Sequence, residues 1–173
     1  MLSVEEALAR IIDGVGATSA ERVPLAAAAH RILAEDLRAT LTQPPFDASA
    51  MDGYAVCKGD VAQLPATLEL VGEARAGEGH QGRVGPGQCV RIFTGAPVPP
   101  GADAIVIQEN TKAKGRSVTV VEGRPDPAHI RPRGGDFAEG QVLLSPGRVL
   151  DARAILLAAA MGHGSLAVRK KPI

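Results

Sequence analysis

Side chains that could do chemistry together lie in three loop segments of this sequence. The first segment, from Pro44 to Val56, offers Asp47, Ser49 and Asp52 and places Gly53 directly after the second aspartate. Because its two prolines restrict φ and cannot extend a helix, we predict a stiff, extended loop that leads into a strand. From spacing alone, the safer interpretation is a structural Asx turn in which the aspartates cap their own backbone.

Two further loops add polar groups beside predicted strands. Thr94 and Gly95 directly follow one strand, and a glycine-rich loop carries Arg131, Arg133 and Asp136. Carboxylates that arrive from separate loops can hold Mg²⁺ together with water, and arginines next to glycine suit phosphate, which they bind in a bidentate way. The set therefore fits phosphoryl or oxyanion chemistry, although each element alone is also typical of caps and surface ion pairs.

Other functional classes fit the sequence less well. An aspartic protease would need an aspartate before the Thr-Gly pair, where this chain has Phe93. The histidines lack the i, i+4 spacing of a metal-binding helix, and neither a nucleophile elbow nor a P-loop occurs. Because 19 acidic and 19 basic residues cancel, no overall field draws the chain to nucleic acid or to a membrane. We expect neither partner.

Composition indicates a β-rich protein with an aliphatic core. The 173 residues include 20 glycines, 13 prolines, no tryptophan and one tyrosine, so many turns and little aromatic packing are expected. Cys57 and Cys89 have no paired metal or redox spacing; free buried thiols are the simpler interpretation, with a disulfide left open. Since no basic leader and no apolar run of membrane-spanning length is visible, we expect a soluble, cytoplasmic protein.

The order of predicted elements indicates an α+β fold in which one domain is inserted into another. Three helices are predicted, at 4–15 behind a capping box of Ser3 and Glu6, at 26–33 and at 152–161. Short predicted strands, separated by turn residues, lie at 22–25, 37–41, 54–57, 66–74, 88–93, 104–108, 117–122, 142–144, 148–150 and 166–169. We assign 15–45 and 134–173 to a host α+β domain, 46–133 to an inserted β-rich domain and 1–14 to a separate helix.

Three motifs carry a resemblance to a known family. They are PFDASAMDGYAV at 45–56, RIFTGAPVPPGADAIV at 91–106 and IRPRGGD at 130–136. All three are similar to motifs of the MoeA family of molybdopterin molybdenumtransferases, to which the C-terminal domain of gephyrin is related. The resemblance extends from the first helix to the final Pro-Ile, and it implies the curled sheets of the MoeA N-terminal region with an inserted β domain.

The resemblance also implies an activity and a set of site residues. Family members insert molybdate into adenylylated molybdopterin, release AMP and use Mg²⁺, and they are homodimers whose active cleft lies between subunits. By motif match, Asp52, Thr94 and Asp136 are expected to be catalytic, with Asp52 and Asp136 as Mg²⁺ ligands. Thr94 is expected to donate a hydrogen bond to an oxyanion or phosphate. The remaining motif residues are expected to contact the substrate: Ser49, Gly53, Gly95, Arg131 and Arg133.

Departures from the family pattern affect what we expect of this chain. Where the family reads Gly-Glu-Asp, this chain has Gly134-Gly135-Asp136, and His129 replaces a common asparagine. Family members also continue past the Lys-Lys-Pro-Ile junction into a pterin-binding domain and a small β-barrel domain. We therefore expect this chain to be the N-terminal two domains of such an enzyme, inactive alone, with its first helix packing on the part it lacks. The alternative function, which the missing acid favours, is a non-catalytic, dimerising scaffold of the same fold.

Overall fold

The computed structural model describes residues 2–172 and consists mainly of short strands. In chain order the helices and strands are α1 (Val4–Ile12), β1 (Ala20–Pro24), β2 (Leu37–Arg38), β3 (Ala48–Ser49), β4 (Gly53–Val56), β5 (Ala66–Ala74), β6 (Gln88–Ile92), β7 (Ala104–Ile107), β8 (Thr111–Lys114), β9 (Ser117–Val120), β10 (Ile130–Arg131), β11 (Val142–Leu144), α2 (Ala152–Ala160) and β12 (Ser165–Arg169). The β-rich fold predicted from the sequence is confirmed. Within residues 2–172, no helix is both long enough and apolar enough to cross a membrane.

The chain divides into two compact units. One comprises the described residues up to Leu41 together with those from Glu139 onward, and the other is Thr42–Ala138. The assignment of a host domain at 15–45 and 134–173 and an inserted domain at 46–133 stays a prediction, because the compact units change over at slightly different places, after Leu41 and after Ala138.

A six-stranded mixed sheet, in the order β7-β4-β6-β5-β9-β8, forms the centre of the unit Thr42–Ala138. Only β5 and β6 pair in parallel, and the other neighbours are antiparallel. Successive side chains of a strand point to opposite faces, and both faces here are buried. One face buries Tyr54, Val56, Val61, Leu68, Cys89, Ala104, Val106, Val118 and Val120. The other buries Ala55, Ala74, Val84, Val90, Ile92, Ala96 and Ile105. Both clusters are almost wholly aliphatic, as the composition predicts.

Three two-stranded pairings complete the strand connections. In the unit Thr42–Ala138, β3 pairs with β10. In the other unit, β1 pairs with β12 and β2 with β11. There α2 begins after Asp151, whose carboxylate accepts the N–H of Ala154, and ends before Gly162, whose φ is +92°. The start and stop of this helix follow the N-cap and glycine pattern predicted from the sequence.

The first helix, α1, has the predicted capping box. The Ser3 hydroxyl accepts the N–H of Glu6, and the Glu6 carboxylate accepts the N–H of Ser3. Its apolar stripe is exposed, with Val4 82% and Ile11 69% accessible. That this stripe packs on a further domain stays a prediction.

The predicted helix at 26–33 is wrong. Only Leu25–Ala27 forms a single 3₁₀ turn, and the backbone then takes a left-handed conformation at His30, whose φ is +61°. Leu33, which is fully buried, instead bridges to Val168. Alanine favours helices, but a short helix is marginal without tertiary support, and here long-range pairing of the segment outweighs propensity.

Three strands were not predicted, namely β3, β8 and β10. The residues of β8, Thr-Lys-Ala-Lys, lie at the edge of the large sheet, where lysines replace the apolar alternation that identifies a buried strand. The other two strands are only two residues long and depend on each other for pairing. Conversely, the predicted strand at 148–150 is reduced to an isolated bridge at Val149.

Gly53 lies where β4 closely approaches β7, and a substitution there tests how little space remains between the two strands. A Cβ at this position would lie 2.9 Å from the carbonyl carbon of Val106 and 3.0 Å from the Cα of Ile107. We expect Gly53→Ala to lower the free energy of unfolding by about 1–3 kcal/mol, because backbone of a paired strand cannot yield without disturbing the ladder. Urea unfolding measures this. Gly59→Ala, whose Cβ would meet only the Cys57 sulfur at 3.9 Å, is the control, and equal midpoints for both variants would contradict the expected crowding.

Candidate functional site

Pairing of two central strands brings the first and second candidate loops together. The antiparallel ladder of β4 and β6 places Gly53 opposite Ile92. Asp52 immediately precedes β4 and Thr94 lies just beyond β6, so the two residues meet at the same end of the ladder. Neither is close to the other in sequence. Their proximity is a consequence of strand register.

Asp52 and Thr94 form a tight local pair. One carboxylate oxygen, Oδ1 of Asp52, accepts both the backbone N–H and the hydroxyl of Thr94, each at 2.8 Å. These two hydrogen bonds, with a smaller contribution from the charge of Arg91, hold the pKa of Asp52 below its ordinary value of 3.8. Asp52 is therefore ionised throughout the neutral range, and no residue among 2–172 is seen to donate to its second oxygen, Oδ2.

The Thr94 hydroxyl has a different contact from the one expected from the sequence. Its proton is donated to Asp52, because an ionised carboxylate can only accept. The role of Thr94 as a donor to a substrate oxyanion stays a prediction, and it would require this hydroxyl to change partners. In the present arrangement Thr94 orients Asp52.

Asp47 and Arg133 hold the first and third loops together. The Oδ1 of Asp47 accepts the backbone N–H of Arg133 at 2.7 Å, and the Nε of Arg133 donates to the carbonyl of Pro45 at 3.1 Å. The backbone of Gly134 also donates to the carbonyl of Pro44 at 2.9 Å. The structural interpretation of Asp47 as a cap is therefore correct in kind, but its partner is 86 residues away rather than local.

Asp136 is engaged by Arg131. One terminal nitrogen of Arg131 donates to both carboxylate oxygens of Asp136, at 3.1 and 3.2 Å, and both side chains are about half exposed. The backbone N–H of Asp136 donates to the carbonyl of Gln43 at 3.0 Å. Among the described residues, no hydrogen bond or ion pair links this pair to Asp52 and Thr94. Asp52 and Asp136 are therefore not brought together by a direct contact of either kind.

The predicted substrate-binding residues Ser49, Gly53 and Gly95 have structural contacts. Ser49 is buried, and its hydroxyl donates to the carbonyl of Met51 and accepts the N–H of the same residue at 3.2 Å. Gly95, with φ of +83°, donates its N–H to the carbonyl of Ser49 at 2.8 Å. Gly53 is needed for strand spacing, as described above. That these residues also contact substrate stays a prediction.

One residue of the site was missed from the sequence, Arg91 in β6. Its guanidinium lies over the rings of Tyr54 and Phe93, with centroid distances of 5.1 and 4.8 Å. It also donates to the carbonyl of Gly53 at 3.2 Å. Because side chains alternate along a strand, the sequence Arg-Ile-Phe could have predicted that Arg91 and Phe93 share a face. It could not have identified Tyr54, which lies on another strand, as the second partner.

A Mg²⁺ ion would depend on substrate for much of its coordination here. Within residues 2–172, no group of three or more His, Cys, Asp or Glu side chains could hold a metal ion. Mg²⁺ often binds through one or two carboxylates plus substrate phosphates, and the ionised Asp52 suits that pattern. Asp136 suits it less, because Arg131 already neutralises its charge. Both ligand assignments stay predictions.

The chain is similar to known proteins over most of its length. Residues 2–162 match the family model described as MoeA N-terminal region (domain I and II). The molybdopterin molybdenumtransferase of Synechococcus elongatus is 40% identical over 156 residues, which cover 87% of this chain and 39% of that protein. The enzyme of the same name from Bacillus subtilis is 36% identical over 180 residues, covering 99% of this chain and 42% of that protein.

Solved structures agree with these sequence matches. The crystal structure of the molybdopterin biosynthesis MoeA protein from Pyrococcus horikoshii OT3 matches with a TM-score of 0.90 at 33% identity, covering 99% of this chain and 47% of that one. This likeness confirms the fold that the three motifs implied. The chain spans about two fifths of the length of the curated relatives described above.

The Thr94 hydroxyl offers a direct test of the carboxylate pair. We expect Thr94→Ala to raise the pKa of Asp52 toward, but not to, its ordinary value, because the hydroxyl donor is lost while the backbone N–H remains. Because the folded pKa lies below the unfolded one, the ionised form stabilises the fold above the unfolded value, and that contribution disappears as the pH falls through the folded pKa. The ¹³C carboxyl resonance of Asp52, followed against pH, measures the shift.

Thr94→Ser, which keeps the hydroxyl, is the matched control for this titration. It is expected to titrate like the wild type. Identical Asp52 curves for the wild type, the alanine variant and the serine variant would show that the hydroxyl contact has no effect on the carboxylate.

Proposed function

Since this chain belongs to the MoeA family of molybdopterin molybdenumtransferases, we propose that it forms part of the site at which molybdate is inserted into adenylylated molybdopterin with release of AMP. Similarity to relatives that carry the transferase name supports the reaction class. The observation on this chain that carries the proposal is the Asp52–Thr94 pair, an ionised carboxylate held at the end of a strand ladder by a residue of a second motif.

Asp52 would act through its free oxygen. With Oδ1 held by Thr94, Oδ2 keeps a fixed direction and a full share of the negative charge. A carboxylate in that state would hold a Mg²⁺ ion, or it would orient the adenylate and its attacking oxyanion. When bound, Mg²⁺ would polarise the phosphate oxygens and offset developing charge. Thr94 would keep Asp52 ionised and correctly directed.

The two arginines of the third loop would provide positive charge for the anionic substrates. Arg131 uses one terminal nitrogen for Asp136, and Arg133 uses Nε for the carbonyl of Pro45. Guanidinium has five N–H donors, so both retain donors for phosphate or molybdate oxygens. Both residues are exposed, as a substrate contact requires. Asp136 would then orient Arg131 rather than hold the metal on its own.

The proposed cleft is completed by parts beyond this chain. The curated relatives are more than twice as long, and in the proposed arrangement a pterin-binding domain and a second subunit supply the rest of the substrate contacts. The described residues contribute carboxylates, a threonine and arginines to the proposed cleft. We therefore assign this chain to a homodimeric enzyme and expect it to be inactive alone.

A second candidate function is a non-catalytic, dimerising scaffold, and Gly135 favours it. Gly135 stands where the family motif has a glutamate, so this chain lacks that acid. The turn at this position is tight, since the N–H of Gly135 donates to the carbonyl of Pro132 at 2.9 Å. A Cβ at Gly135 would lie 3.0 Å from the same oxygen, so an acidic side chain would require the turn to shift. The intact Asp52–Thr94 pair favours the enzyme.

The purified 173-residue chain is expected to give no turnover of adenylylated molybdopterin. The physical reason is that one set of loops binds only part of the substrate, and alignment of both reactants is a large share of the catalytic effect. Release of AMP, followed by chromatography in the presence of molybdate and Mg²⁺, measures turnover. The intact Bacillus subtilis enzyme is the positive control, and AMP formation by the chain above background would contradict the expectation.

A chimera tests the proposed role of Asp52. This chain would replace the matching N-terminal part of the Bacillus subtilis enzyme, to which it aligns over 180 residues. We expect the chimera to insert molybdate and Asp52→Asn to lower its kcat about 10²-fold or more, because preorganised electrostatic contacts at a reacting centre have effects of that size. Activation of a molybdoenzyme measures the product.

Asp126→Asn is the matched control in the chimera. Asp126 is another exposed aspartate of the same unit, and it caps a 3₁₀ turn by accepting the N–H of Ala128. It is expected to leave kcat unchanged. An active chimera that tolerates Asp52→Asn would refute the catalytic role, and a folded but inactive chimera would favour the scaffold.

A further inference from the structure

We propose that Arg91 is a positioning residue of this site, which holds the Asp52–Gly53 segment, where the chain enters β4, from the neighbouring strand β6 so that Asp52 meets Thr94. This inference rests on the proposed function only in assuming which reaction the Asp52–Thr94 pair takes part in. The contacts themselves are independent of any substrate, and they can be tested without one.

Hydrogen bonds connect Arg91 to the backbone of Gly53 directly and to the backbone of Asp52 through Gln108. One terminal nitrogen donates to the carbonyl of Gly53 at 3.2 Å, and the other donates to the side-chain oxygen of Gln108. The backbone N–H of Gln108 in turn donates to the carbonyl of Asp52 at 3.2 Å. These three hydrogen bonds link Arg91 in β6 with the Asp52–Gly53 segment and with Gln108, the residue after β7. A planar guanidinium, whose N–H donors have fixed directions, suits two such acceptors at once.

Two aromatic rings restrict the guanidinium to this position. Tyr54, the only tyrosine of the chain, lies directly across the ladder from Arg91 and is 7% exposed. Phe93, the residue directly after β6, places its ring centroid 4.8 Å from the same guanidinium. Both rings lie within the range at which a cation is attracted to an aromatic face, an interaction favoured for arginine over lysine. The rings limit the rotamers available to Arg91 and so fix the direction of its donors.

The charge of Arg91 is not directed at an acidic partner. The residue across the parallel ladder is Glu73, but its carboxylate is bound by the Nε of Arg75. No ion pair of Arg91 occurs among the described residues, and its hydrogen bonds reach only a carbonyl and an amide oxygen. The guanidinium is thus bound to the carbonyl of Gly53 and the side chain of Gln108 rather than to a carboxylate.

These contacts distinguish Arg91 from an ordinary surface arginine. An arginine that serves only the fold would need no particular donor geometry beside the site, and lysine could cover the same rings with its apolar stem. Here one guanidinium nitrogen donates to the carbonyl of Gly53, next to Asp52, and the other donates to Gln108, whose backbone N–H binds the carbonyl of Asp52. Loss of the fork should therefore move Asp52 relative to Thr94 even where the positive charge is kept.

The experiment compares Arg91→Lys and Arg91→Gln in the 173-residue chain. The ¹³C carboxyl titration of Asp52 and the amide resonance of Thr94 are followed by NMR, with urea unfolding as a check on the fold. We expect the Asp52 pKa to rise in both variants, more with glutamine, which also removes the charge. We expect the Thr94 amide to shift in both. Arg116→Gln is the control, because it removes an exposed charge of the same unit that is paired with Glu69.

The outcomes separate positioning from charge and from folding. A lysine variant whose Asp52 titration and Thr94 amide match the wild type would overturn the proposal, since charge alone would then suffice. A glutamine variant with no change would overturn it too, as would unfolding of both variants, which would make Arg91 a residue of the core. Since no substrate is used, failure of the proposed reaction in the chimera leaves this result intact.

Discussion

Antiparallel pairing of β4 with β6 is the contact on which the candidate site depends. Because Gly53 lies opposite Ile92, the residue before one strand meets the residues after the other, and Asp52 is brought to Thr94. The approach of β4 to β7 on its other side leaves no room for a Cβ at Gly53. A shift of register by one residue would separate the pair and would also turn the buried side chains of β4 to the wrong face.

The aspartates of the irregular loops show how such segments are held without long strands. Asp47 binds the backbone of Arg133, Asp52 binds the backbone and hydroxyl of Thr94, and Asp136 binds the side chain of Arg131. Loops leave backbone donors without regular partners, and these must be satisfied by other groups. Asp47 and Asp52 each combine such a bond with a second oxygen that has no protein donor in the described part of the chain, and of these two Asp52 alone also accepts a hydroxyl. The structural contacts of Asp52 are therefore compatible with a functional role, which stays a prediction.

Much of the fold could be predicted from local patterns. Strand β5 begins and ends where its alternation does, and α2 begins and ends at its aspartate and glycine signals. Errors arose where tertiary contacts outweighed local preference, as at 26–33, or where strands were too short or too polar to have a pattern of their own, as in β3, β8 and β10. The site was predicted as three polar loops, but Arg91 was absent from that set because its partners lie on other strands.

The sequence by itself determined the aliphatic core, the strand-rich composition, the helix caps and, through three long motifs, the family. Those properties depend on residue type and short spacing, which are written directly in the chain. Only the tertiary structure decided that Oδ1 of Asp52 is held by Thr94, that Asp136 is bound by Arg131, and that the partner of Asp47 is the backbone of Arg133. The contacts of Asp52 and Asp47 join residues 42 and 86 positions apart, and strand register, which no local pattern specifies, determines which of them meet. Arg131 and Asp136 are five positions apart, but their pairing depends on how the irregular loop between them folds.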